Sequence, residues 1–100
     1  MPVKLLMSWN IKPGREQEYF EFVVREWVPG LQRLGLEPTD AWYTLYGHAP
    51  QILAGVTSDT LKVMNDVLET DEWQALLGQL QGYVDDYEQK VVRASGGFQM

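Results

Sequence analysis

Val3-Lys4-Leu5-Leu6-Met7-Ser8-Trp9-Asn10-Ile11-Lys12-Pro13-Gly14 is the stretch whose reading decides the fold. Val3, Leu5, Met7, Trp9 and Ile11 share one parity, and Lys4, Leu6, Ser8, Asn10 and Lys12 the other. This period of two belongs to a strand with one strongly apolar face. Pro13-Gly14 ends it. Beyond that turn, Phe20, Val23, Val24, Trp27, Val28, Leu31 and Leu34 recur every three or four residues, so the next element is a helix that buries one stripe. Glu16, Glu18, Glu21, Arg25 and Glu26 take other positions. Pro29-Gly30 interrupts the pattern. Proline has no N–H to offer the carbonyl four residues back, which predicts a bend there and a short last segment ending near Gly35.

Leu36 to Asp40 then reads as a connection, and Ala41-Trp42-Tyr43-Thr44-Leu45-Tyr46 as a strand of aromatic and β-branched types. Gly47-His48-Ala49-Pro50 makes a hairpin turn, and residues 51–57 the returning strand. Ser58 or Asp59 is placed to cap a helix from Thr60 to about Leu68. Thr70 precedes Asp71 and Glu72, whose charges suit the positive end of another helix running to about Tyr83. Gly78 and Gly82 weaken that helix by about 1 kcal/mol each relative to alanine. Tyr87 to Ala94 reads as the last strand. The order is strand, helix, strand, strand, helix, strand over residues 1–100, a single α+β domain with a four-stranded antiparallel sheet.

The chain has 100 residues, 45% of them apolar and 12% aromatic. A chain of this size buries only about two-thirds of its unfolded surface, so so much apolar material calls for additional cover. Fourteen acidic against eight basic residues give a net charge of -6, which repels nucleic acid and anionic membranes alike. The absence of cysteine excludes disulfides and thiolate metal sites and fits a reducing compartment. No stretch approaches the twenty or so apolar residues of a membrane span, and the N-terminus runs quickly into polar Ser8 and Asn10. A cytoplasmic location is expected.

The second face of the sheet carries Leu6, Ser8 and Asn10, then Leu53, Gly55 and Thr57, with Trp42, Thr44, Tyr46 and His48 in the natural register. Right-handed crossovers return both helical regions on the opposite face. Leaving Leu6, Trp42, Tyr46 and Leu53 in water forgoes roughly 1.5–3 kcal/mol for each side chain, comparable in sum to the 5–15 kcal/mol or so that holds a domain together. A second copy of the chain is the expected cover, giving a homodimer with an enclosed interior. The register matters, because a slip of one residue replaces Trp42 and Tyr46 with Tyr43 and Leu45.

This pattern resembles the ferredoxin-like dimeric α+β barrel superfamily, and within it the NIPSNAP-like proteins. The residues that carry the resemblance are Lys12-Pro13-Gly14, Gly35, Trp42 with Thr44 and Gly47, and Asp71-Glu72-Trp73-Gln74. The resemblance implies a βαββαβ fold and a homodimer. The superfamily's activities include cofactor-independent monooxygenation, haem degradation and lactone isomerisation. Its haem-degrading members use an asparagine on the first strand and a tryptophan and a histidine in the last helical region. Those positions here fall on Met7, Val67 and Leu77, which argues against haem degradation and leaves Asn10 as a displaced substitute.

His48 is the only histidine, hence the only side chain whose unperturbed charge changes near neutral pH. Beside Tyr46 it is a candidate base; a solvated turn residue is the plainer alternative. Asn10 and Ser8 could orient a carbonyl or hydroxyl, or simply pair across the dimer. Trp42 suits a flat ligand, while Trp27 and Trp73 look like packing residues. Thr44, Leu53 and Gly55 complete the candidate lining. Asp85, Asp86 and Glu88 form an acidic cluster without metal-ligand spacing. The expected function is therefore small-molecule binding without a cofactor, either as a cofactor-independent monooxygenase or isomerase of an apolar or aromatic compound, with His48, Asn10 and Tyr46 catalytic, or as a non-catalytic homodimer.

Overall fold

A computed structural model of the chain describes residues 2–43 and 51–93, leaving aside the side chains at 40, 42 and 43. The first strand, β1 (Val3–Ile11), alternates strictly between buried and half-buried positions, as its sequence requires. Gly14 turns the chain at φ 84°, and Arg15 N–H donates to Lys12 O across that turn. Helix α1 (Glu16–Phe22), a π-helical segment (Val23–Trp27) and α2 (Val28–Arg33) follow with continuous right-handed helical backbone.

The interruption expected at Pro29-Gly30 takes the form of that widened turn just before the proline. Val28 N–H reaches back five residues to Val23 O. Proline's ring crowds the carbonyl four residues earlier, at Arg25, and a wider turn just before it lets the helix pass through without breaking. Gly30 is buried against the later helix α4 (Asp71–Gln81); a Cβ there would lie 2.9 Å from Leu76 Cδ2.

At the end of α2 the chain closes a Schellman motif. Leu36 N–H donates to Leu31 O and Gly35 N–H to Gln32 O, with Gly35 at φ 81° and both leucines buried. Strand β2 (Glu37–Tyr43) begins at once, so the connection expected over Leu36 to Asp40 is mostly strand. Pro38 is tolerated because β2 is an edge strand, where a missing ladder donor harms nothing.

Strand β3 (Ile52–Ser58) leads to helix α3 (Leu61–Leu68). Its cap is Thr60, whose hydroxyl accepts from Val63 N–H, rather than Ser58 or Asp59; Ser58 instead donates its own hydroxyl to Thr60 O. Thr70 caps α4 as expected, accepting from Trp73 N–H.

The last strand, β4 (Val84–Arg93), starts three residues before the expected Tyr87. A bulge explains the difference. Ser8 pairs with Glu88 but Asn10 with Asp85, so β4 spends one extra residue there, with Asp86 at φ 58°. The extra residue breaks the period of two by which the strand's start would have been read.

The four strands form one antiparallel sheet in the order β2-β3-β1-β4. A single core lies between one sheet face and the helices, joining Val3, Leu5, Met7, Trp9 and Ile11 to Leu31, Met64, Trp73 and Leu80. Among the described residues, no helix is long and apolar enough to cross a membrane.

Replacing Gly35 with alanine tests the αL cap cleanly, since nothing lies within 4 Å of the added Cβ. The variant should lose about 1–2 kcal/mol of unfolding free energy, seen as a lower urea midpoint with an unchanged slope.

Candidate functional site

The bare sheet face is read from the ladders, because directly opposed residues of antiparallel neighbours lie on the same side. Leu53, Ser8 and Glu88 form one row across β3, β1 and β4. Gly55, Leu6 and Lys90 form the next, and Thr57, Lys4 and Val92 the third. On β2, Trp42 pairs with Leu53 and Asp40 with Gly55. The natural register therefore holds, and position 42 shares the face of Leu53 and Ser8.

A concavity of about 680 Å³ opens on this face. Leu6, Leu53 and Val92 give it apolar walls, Ser8 is the one hydroxyl among the described residues that line it, and Glu88 and Lys90 stand along β4. Leu6, Ser8, Leu53 and Val92 are each half-buried. Gly55 lies opposite Leu6 in the ladder, and its carbonyl accepts the Thr39 hydroxyl at 3.3 Å.

Asn10 sits on the same strand two residues from Ser8, and its carboxamide is engaged at both ends. Its Oδ1 accepts from Gln51 N–H at 2.9 Å, and its Nδ2 donates to Asp86 Oδ2 at 3.1 Å. Gln51 in turn accepts Ile11 N–H at 2.7 Å through its side-chain oxygen. Asp85 pairs with Lys12 at 3.7 Å, so Asp85 and Asp86 of the acidic cluster are each engaged by a different side chain. Among the described residues, no group of three or more His, Cys, Asp or Glu side chains is gathered to hold a metal ion.

Ser8, Leu53 and Gly55 thus come together as the sequence suggests, and Trp42 joins them by register. Thr44, Tyr46 and His48 lie outside the described residues. Glu88, Lys90 and Val92 were not foreseen. Both parities of residues 88–93 mix polar and apolar types, so without the bulge at Asp86 the strand could not be assigned to a face.

The two phenols near β1 lie on the other side, under the helices. Burial pushes Tyr19 above its ordinary range, an effect slightly offset by the Trp9 Nε1–H it accepts at 3.0 Å. Burial likewise raises Tyr87, whose ring stacks on Trp9 and whose hydroxyl donates to Gln89 Oε1 at 2.8 Å. Both stay protonated near neutral pH and act as packing and hydrogen-bonding groups.

A βαββαβ chain with strand order β2-β3-β1-β4, helices on one face and a hollowed apolar second face is the ferredoxin-like unit of an α+β barrel. Comparison with solved structures places it more narrowly. An ethyl tert-butyl ether D (EthD) family protein from Bacillus halodurans superposes with a TM-score of 0.71 over 100% of both chains, at 16% identity. A NIPSNAP-like domain protein from Burkholderia xenovorans gives 0.70 over 99% of this chain and 90% of that one, at 15% identity. A NIPSNAP family protein from Agrobacterium tumefaciens gives 0.68 over 92% and 91%, at 18% identity. The chain thus has the fold of NIPSNAP and EthD proteins, the dimeric α+β barrel fold. No family model and no curated protein matches it.

The indole of Trp9 forms part of the support beneath the site, and Tyr19 is its hydrogen-bond partner. Tyr19→Phe leaves that buried N–H without its acceptor and should cost about 1–3 kcal/mol, measurable by urea denaturation, with far-UV circular dichroism unchanged.

Proposed function

We propose that the chain works as a homodimer in the cytoplasm, two copies meeting through their bare sheet faces, and that the concavity becomes a closed chamber for a small, largely apolar or aromatic molecule. The observation that carries this reading is the apolar hollow of about 680 Å³ with Ser8 at its floor. Its volume falls within the 300–1,000 Å³ or so typical of ligand pockets, as does its plan of apolar walls with few polar groups. Leu6, Leu53 and Val92 remain half-buried on a face that the chain's own helices leave uncovered. An isologous partner covers all three at once.

The chemistry suited to such a chamber is cofactor-independent oxygenation or isomerisation. In that form His48 moves a proton, Tyr46 and Asn10 hold a polar group, and Trp42 and Thr44 face the ligand. The doubly bonded carboxamide of Asn10 favours the other form, a homodimer that binds its ligand without turning it over.

Sedimentation of the unmodified chain should give a dimer at micromolar concentration, and native mass spectrometry a retained small molecule. Leu53→Asp places two unpaired carboxylates in the isologous contact and should raise the dimer dissociation constant at least about a hundredfold, with circular dichroism unchanged. A stable monomer for the unmodified chain overturns the reading.

A further inference from the structure

The β1–β3 ladder ends at Trp9 and Ile52, and the β1–β4 ladder is broken by the bulge between Ser8 and Asn10. Asn10 stands at both interruptions. Its carbonyl oxygen takes Gln51 N–H just beyond the last ladder pair with β3, and its amide bonds Asp86 at the bulge of β4. Gln51 lies two residues from Leu53, Asp86 two from Glu88, and Asn10 two from Ser8. That is one pleat, about 6.6 Å along each strand, from the row that spans the concavity.

We propose that Asn10 is the positioning residue of this site, a latch to Gln51 and Asp86 that fixes the spacing of the β3 and β4 walls on either side of Ser8. A carboxamide suits this, with an acceptor and a donor on one short side chain. An aspartate could accept from Gln51 but would meet Asp86 as a like charge, and a leucine could do neither. Asp86 is held at φ 58°, a conformation unfavourable to residues with a Cβ but one that aspartate tolerates better than most. The position keeps a side chain that can receive Asn10 where glycine would suit the backbone better.

The binding half of this inference rests on the chamber proposed above; the latch itself does not. Asp86→Gly separates a positioning role from a merely structural one, because glycine relaxes the backbone while removing the acceptor. Asp86→Gly should match or exceed the unmodified chain's urea midpoint. It should nevertheless speed amide hydrogen exchange across residues 51–53 and 86–88 by about fivefold, and weaken uptake of the apolar dye anilinonaphthalene sulfonate by a similar factor, on the scale of one lost hydrogen bond of ordinary strength at an exposed site. Asn10→Leu should do the same or more. Should Asn10→Leu fail to fold, Asp86→Gly alone decides. Exchange at the unmodified rate over both segments in Asp86→Gly overturns the latch. An unmodified chain that takes up no dye counts against the chamber instead, and the exchange rates still judge the latch.

Discussion

Trp9 is the point at which the sheet, the first helix and the last strand are held together. Its ring meets Trp27 edge-on at 5.9 Å and lies parallel to Tyr87 at 6.0 Å, while its N–H is satisfied by Tyr19. Trp27 passes the packing on to Trp73 at 5.8 Å, and so to α4. Aromatic pairs in such arrangements add to the stabilisation from burial alone. Because Trp9 is fixed on the helix side, the parity of β1 is fixed, and Leu6, Ser8 and Asn10 must face the other way.

Everything on the second face follows from that orientation. Both crossovers carry their helices to the side of Trp9, so the face bearing Leu6 and Leu53 has no cover from the described helices. Its centre is apolar, while the β4 side carries Glu88 and Lys90. Leucine and valine walls with one hydroxyl specify shape, and Glu88 and Lys90 add charge along one side of the hollow.

Much of this was legible in the sequence, and the misread strand boundaries share a cause. The alternation of β1, the stops at Gly14 and Gly35 and the Thr70 cap depend on contacts between near neighbours in the chain, so their spacing is enough to find them. Of the stripe expected on the first helix only Trp27 and Leu31 are fully buried, while Phe20 and Val24 are exposed and Tyr19 and Phe22 take the buried places. The start of β2 at Glu37 and of β4 at Val84 depend on distant partners: an edge location that excuses Pro38, and a bulge at Asp86 that shifts parity against β1. The same bulge hid Glu88, Lys90 and Val92 from the site. Nor did spacing alone reveal that Asn10 would be engaged by Gln51 and Asp86, since those residues meet only once both strands flank β1.

Pro38 on one outer strand and the bulge at Asp86 on the other have an effect beyond the single chain. A sheet grows into a filament when a flat, regular margin offers its donors and acceptors to the next molecule. Here one margin lacks a donor and the other is kinked out of plane. Endless lateral growth is therefore discouraged at both outer strands, and the proposed pairing of broad surfaces, which terminates after one partner, meets no competition from it.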